Sequence, residues 1–128
     1  MEIILRRNGK IFCTSIASLS HISKYLESLI ATHTKDGRIR ARKIQDYIKI
    51  LRELGTYAPD TIVKHIEDDL YELRPGKDRV LFVAWYKNGF VLLHSFPKKT
   101  QKTPEREKER ARREFKDLQE RGLDDEEE

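Results

Sequence analysis

Between Leu70 and Phe96 three strand-like runs follow one another across two short breaks, and the rest of the chain arranges itself around them. Leu70 to Arg74 (LYELR) alternates large apolar and polar side chains, which in an extended chain puts Tyr71 and Leu73 on one face and Glu72 and Arg74 on the other. Pro75-Gly76 breaks the run, and Arg79 to Tyr86 resumes it with Val80, Leu81, Phe82, Val83, Ala84 and Trp85. Lys87-Asn88-Gly89 is a hairpin-turn signal, and Phe90 to Phe96 forms the third run. Connections this short predict an antiparallel meander. Near the start, Glu2 to Arg7 carries β-branched Ile3 and Ile4 and is closed by Asn8-Gly9, which predicts a first strand that joins an edge of the meander. Ile11-Phe12, in the stretch from Lys10 to Ser18, either extends a hairpin or packs as a loop.

Two helical periods lie between. Ile22, Leu26, Leu29 and Ile30 recur at helical spacing after a capping Ser20, with Gly37 beyond the expected end. Ile44, Tyr47, Ile48, Leu51 and Leu54 form one continuous face from Arg40 to Leu54, and Gly55 ends that helix. Thr56 to Asp69 contains Pro59 and no sustained period, so it reads as a loop with a short helical turn or a strand edge. After the meander, Thr103 caps and Pro104 opens a last helix, with Glu105 and Glu107 at its positive end. Its apolar stripe, Ala111, Phe115 and Leu118, is narrow, which predicts a lightly docked or mobile helix where a partner could bind. The expected fold is α+β, a small antiparallel meander of about four strands with an N-terminal helical hairpin on one face and a C-terminal helix.

Composition bounds this picture. A chain of 128 residues is expected to form a single domain over 1–122, with 123–128 as an acidic, disordered tail. There is no run of membrane-spanning length and no secretion-signal layout at the start, and the single cysteine, Cys13, fits a reducing compartment, so a cytoplasmic location is expected. The net charge of +4 combines 26 basic with 22 acidic residues, and five of the acids are the last five residues, so the body is more basic than the total suggests. Such an excess points to a polyanionic partner. His65, beside Lys64, Glu67 and Asp68, lacks ligand-spaced partners, and neither a metal nor a cofactor is expected.

Candidate chemistry therefore rests on cations. Arg74 projects from the face opposite Tyr71 and Leu73, Arg79 reaches the same region across the Pro75-Gly76 turn, and Lys98, Lys99 and Lys102 leave the third strand. Lysines that follow a strand end also serve simply to keep a sheet edge soluble. His94, suited to proton transfer near neutral pH, is a secondary candidate because an apolar strand equally suits a packing histidine.

The stretch LYELRPGKDRVLFVAWYKNGFVLLHSFPKKTQKTPEREKERA resembles the phage-derived HigB-like toxins of the RelE/ParE superfamily, in which an LYELR strand, an R-V-hydrophobic strand, a VLLH strand and a KKTQKTP segment come in this order. The resemblance covers roughly Leu70 to Arg113 closely. It implies a type II toxin that cuts messenger RNA on the ribosome without a metal and is neutralised by a helix-turn-helix antitoxin in a hetero-oligomer. Attack of a ribose 2′-OH on the adjacent phosphate needs a proton acceptor, a proton donor and positive charge on the phosphorane. Similarity to the superfamily's basic cluster points most directly to Arg74, Arg79 and Lys99. The arginines are expected to clamp phosphate. A lysine among like charges is biased toward its neutral form, which makes Lys99 or Lys102 the candidate general base or acid, with Lys98 as helper. Two departures stand out: Glu72 shares the face of Arg74, and no tyrosine follows Lys99 to stack on a base. Trp85 or Tyr86 could stack instead if either faced the open side. ParE-type gyrase inhibitors share the scaffold, so gyrase inhibition and non-catalytic RNA binding are the alternatives.

Overall fold

Two short segments of the sheet are made by residues that the period-two pattern left aside. The computed structural model describes residues 5–7, 10–12, 16–18, 20–85 and 89–121. Its elements are β1 (Leu5–Arg7), β2 (Lys10–Phe12), β3 (Ile16–Ser18), α1 (Ser20–Ile30), α2 (Lys35–Leu54), a 3-10 turn (Gly55–Tyr57), β4 (Val63–Glu67), β5 (Leu70–Leu73), β6 (Asp78–Trp85), β7 (Gly89–Pro97) and α3 (Glu105–Arg121). The expectations for Glu2 to Ile4, the Asn8-Gly9 turn, Cys13, Tyr86, the Lys87-Asn88 turn and the tail from 122 lie outside the described residues, as does the side chain of Trp85.

The class is the expected one: an α+β fold with two N-terminal helices, a four-stranded antiparallel meander and a C-terminal helix. The meander's fourth strand is β4, the edge strand, from the stretch read as a loop with a short helical turn or a strand edge, and it pairs with β5. Leu5–Arg7 does not join the sheet; β1 pairs with β2 as a separate hairpin. The strand that completes the five-stranded order β3-β7-β6-β5-β4 is Ile16–Ser18, which runs parallel to β7. A parallel neighbour needs a crossover, and here α1, α2 and the first three meander strands supply it.

The two sheet faces carry separate cores. Ile22 and Leu29 of α1 and Ala41, Ile44 and Leu51 of α2 pack on Val63, Leu73, Val80, Phe82, Phe90 and Leu92. Helical spacing placed most of this stripe correctly, although Ile30 and Leu54 are exposed. α2 begins a full turn earlier than its apolar face, at Lys35, because Thr34 accepts a hydrogen bond from the Gly37 backbone N–H at 3.0 Å. Gly37 is thus inside α2, where a Cβ would lie 2.2 Å from the Leu29 carbonyl oxygen; only glycine lets α1 and α2 approach this closely. Gly55 ends α2 at φ 56°, donating its N–H to the Leu51 carbonyl.

On the other face α3 is firmly seated. Ala111 and Leu118 are completely buried against Leu70, Leu81, Val83, Val91, Leu93 and Phe96, and Lys108 and Arg112 both pair with Glu67 of β4. The narrow stripe reflects small contact width, not weak docking. Thr103 does not cap α3, which starts at Glu105; its hydroxyl is used elsewhere.

Candidate functional site

α3 crosses only part of its sheet face, and the basic residues collect on the part left uncovered. β5 delivers Glu72 on that face, directly across from Leu81 of β6 and Lys64 of β4. Arg74 follows at the end of the strand, its N–H bonded to the Ile62 carbonyl at 2.9 Å. Arg79 opens β6 opposite Phe96. The Lys98–Pro104 segment then leaves β7, anchored by the Lys98 N–H on the Lys77 carbonyl at 2.7 Å.

Glu72 organises the group. It is 3% exposed, and its Oε1 lies 3.6 Å from both the Arg74 and Arg79 Nε atoms. Its Oε2 accepts a 2.6 Å hydrogen bond from the Thr103 hydroxyl, tying the lysine-bearing segment to β5. A carboxylate buried this deeply needs its charge matched, and two guanidinium groups provide the match. Arg79 is itself buried, and its Nη1 donates to the Gly76 and Asp78 carbonyls at 2.8 and 2.7 Å. Burial holds its pKa below the ordinary arginine value, opposed by attraction to Glu72 and reinforced by Arg74. These bonds fix the plane of the guanidinium and leave Nη2 without a protein partner among the described residues. Arg74 is held less tightly: its Nη1 reaches the Asp60 carbonyl at 3.4 Å, and its buried Nε makes no hydrogen bond.

Two concavities adjoin here. The smaller, about 10 Å³, is bounded by Glu72, Arg79, Phe96 and the segment from Lys98 to Pro104, so Arg79, Lys98, Lys99 and Lys102 meet around it. The larger, about 210 Å³, is bounded by Lys64, His65, Ile66, Glu72, Arg74, Gln101, Lys102, Thr103 and Lys108. Lys102 borders both. Cations from three segments therefore converge, although the face is not open as expected, because α3 closes its far half.

His94 lines neither concavity. A shift in strand register pairs Leu81 with His94 and Phe82 with Leu92, so the extra residue turns both Leu93 and His94 toward α3. There His94 Nε2 lies 2.8 Å from Glu107 Oε1, and its ring stacks on Phe96 with centroids 5.6 Å apart. His65 makes no metal cluster; its Nε2 is 2.7 Å from the Asp68 carbonyl and its ring meets the edge of Tyr71. Among the described residues no group of three or more His, Cys, Asp or Glu side chains could hold a metal, and no helix is long and apolar enough to cross a membrane.

The sequence reading missed Lys64 and Lys108 as neighbours of the cations. Lys64 and Lys108 depend on β4 being a strand and on α3 docking, which no local pattern signalled. The alternation of LYELR did put Glu72 beside Arg74, yet its central position became visible only with Arg79 and Thr103 in place.

A model of the family described as phage-derived protein Gp49-like (DUF891) matches residues 34–116 of this chain. The matched span includes α2, the whole meander, every cation around the two concavities and most of α3. No curated protein matches the chain.

Proposed function

The chain belongs to the family of phage-derived Gp49-like proteins, which falls broadly among the RelE/HigB-type toxins, and on that premise we propose that it is a type II toxin that cleaves messenger RNA. The observation that carries this reading is the convergence of Arg79, Lys98, Lys99 and Lys102 on one small cavity, with Arg74 alongside. In this reading a lysine, Lys99 or Lys102, takes the proton of a ribose 2′-OH. The 2′-oxygen bonds to the adjacent phosphorus and the bond to the 5′-oxygen breaks, that oxygen taking a proton from the second lysine. Products are a 2′,3′-cyclic phosphate and a free 5′-OH.

Arg79 is the main electrostatic group. Its guanidinium is oriented in advance by two carbonyls and a carboxylate, so little reorganisation opposes it as charge builds on the phosphorane. A set of fixed cations can stabilise that charge by itself, and the ribosome would present the message in extended form. Neutralisation by a helix-turn-helix antitoxin in a hetero-oligomer and a cytoplasmic site of action belong to the same proposal.

The test is primer-extension mapping of messages on translating ribosomes with purified protein. Cuts within codons are expected. Arg79→Ala should lower the cleavage rate by about 10²–10³, the usual cost of removing one positioned transition-state donor, and Arg79→Ala with Lys99→Ala should abolish it. Intact messages together with inhibited gyrase supercoiling would replace this reading with that of a gyrase inhibitor.

A further inference from the structure

α2 carries two stripes, and the packing of the core uses one of them. Ala41, Ile44 and Leu51 are buried against the sheet. Ile39, Lys43, Asp46 and Ile50 alternate steps of four and three residues, the spacing that lines up a seam along a helix. They border a shallow groove of about 700 Å³ whose lining comes entirely from α2. Ile39 is 53% exposed, more than any other large apolar side chain among the described residues. A lone exposed isoleucine would need no explanation, but Ile39, Tyr47 and Ile50 share this one groove.

The order along the seam is apolar, cation, anion, apolar, and that order fits a copy of itself. In an antiparallel pair with a two-fold axis between residues 44 and 45, Ile39 of one copy meets Ile50 of the other and Lys43 meets Asp46, each contact being made twice. A parallel pair would set Lys43 against Lys43 and Asp46 against Asp46. Both charges are available for the antiparallel contact. Asp46 pairs only with Arg42, at 3.3 Å one turn back on the same helix, and both side chains are more than half exposed, so this pair is weak and exchanges easily. Lys43 makes no ion pair among the described residues; its ammonium stands 5.9 Å from the centre of the Tyr47 ring.

We propose that this face of α2 is a self-association surface, on which two copies of the chain pair antiparallel through Ile39, Lys43, Asp46 and Ile50. The proposal is independent of the RNA-cleavage reading, since α2 packs on the sheet face opposite the one that carries α3 and the cations. The seam runs about 16 Å, roughly three turns of helix. A contact of that length buries less than the roughly 800 Å² per partner of a stable interface. Arg42 and Lys49, which flank the seam, add like charge beside it. The dimer is therefore transient, with a dissociation constant on the order of 0.1 mM.

The test is sedimentation velocity of the full chain at concentrations from about 0.01 to 1 mM, a range that brackets that constant. The wild type should pass from monomer toward dimer, and Ile39→Asp should stay monomeric throughout. Lys43→Glu alone and Asp46→Lys alone each put like charges face to face, twice per dimer, and each should weaken association about 10-fold. Mixed in equal parts, these two variants should associate at least as tightly as the wild type, because each copy then offers the charge that the other lacks. A dimer joined anywhere else, or in parallel register, shows no such rescue. Ile39, Lys43 and Asp46 are all exposed on α2, so the variants fold, which thermal melts check. A wild type that remains monomeric over the whole range overturns the proposal, as does a dimer that the two charge variants and their mixture leave unchanged. A monomeric wild type that instead binds a synthetic helix with leucines at seam spacing and glutamates between them, and loses it on Ile39→Asp, gives the face to a foreign chain and overturns the proposal too. None of these outcomes touches the cleavage reading.

Discussion

Glu72 is the residue on which the candidate site turns, and its effect divides into charge and shape. Replacement by alanine leaves two guanidinium groups facing each other without a counter-charge and frees Thr103, which should lower the unfolding free energy in urea by about 3 kcal/mol, the low end for breaking a buried pair. Glu72→Gln retains an acceptor for the Thr103 hydroxyl and removes the negative charge. It should cost less stability and tighten RNA binding, which paired denaturation and anisotropy measurements would show. A stable Ala variant would mean that Glu72 does not organise the site. A second residue gives a pH signature. Tyr25 donates a 2.6 Å hydrogen bond to Asp78, and burial first, then that bond and the Asp78 charge, raises its pKa above the ordinary 10.0. Above pH 10 the unfolded chain loses this phenolic proton while the folded chain keeps it, so unfolding is favoured as pH rises. Stability should therefore fall between pH 10 and 11, and Tyr25→Phe should flatten that limb in urea titrations.

At the level of elements, what was legible in the chain follows from how local each signal is. β5 and β6 could be read because LYELR alternates and RVLFVAW is a continuous apolar run, both complete within a few residues. β4 could be read no further than as a loop or a strand edge: Val63-Lys64-His65-Ile66-Glu67 has one buried position, a register shift, and a pairing that depends entirely on β5. The parallel edge strand Ile16–Ser18 is equally hidden, since its partner Phe90–Leu92 lies more than seventy residues away. α3 was visible as a helix but its seating was not. A stripe of Ala111, Phe115 and Leu118 looks weak until the pairs from Glu67 to Lys108 and Arg112 and from His94 to Glu107 are counted with it. Leu118 is completely buried, so Leu118→Ala should cost about 2–3 kcal/mol, the lower part of the range for a buried leucine, because the position is within a turn of the helix end. A loss too small to resolve by urea denaturation would return α3 to the status of a loosely attached helix. The cation cluster was legible in part for the same reason: Arg74, Arg79 and the three lysines carry their charge in any fold, whereas Lys64 becomes a neighbour only through tertiary pairing.

Across the whole molecule, the first two residues of β6 join the helical side to the side of the candidate site. Asp78 faces α1 and α2, with no exposed surface, and takes both Arg40 donors at 2.7 and 3.0 Å together with the Tyr25 hydroxyl. Arg79 faces the opposite way into the small cavity, yet it is bonded to the Asp78 carbonyl, so the backbone that seats one seats the other. Removing Arg40 leaves a buried carboxylate with a single hydroxyl donor. Breaking such a pair costs about 3–5 kcal/mol, a large share of the roughly 5–15 kcal/mol that holds a domain together. Arg40→Ala should accordingly lower Tm by roughly 10 °C or more in a chain of this size. Arg42→Ala, which breaks only an exposed pair with Asp46 on the same helix, should leave Tm unchanged. If the junction transmits to the site, Arg40→Ala assayed in the cold, where it is still folded, should also cut RNA more slowly than wild type, while Arg42→Ala cuts at the wild-type rate. A destabilised Arg40→Ala that retains full cleavage in the cold would show that Asp78 holds the helices without positioning Arg79.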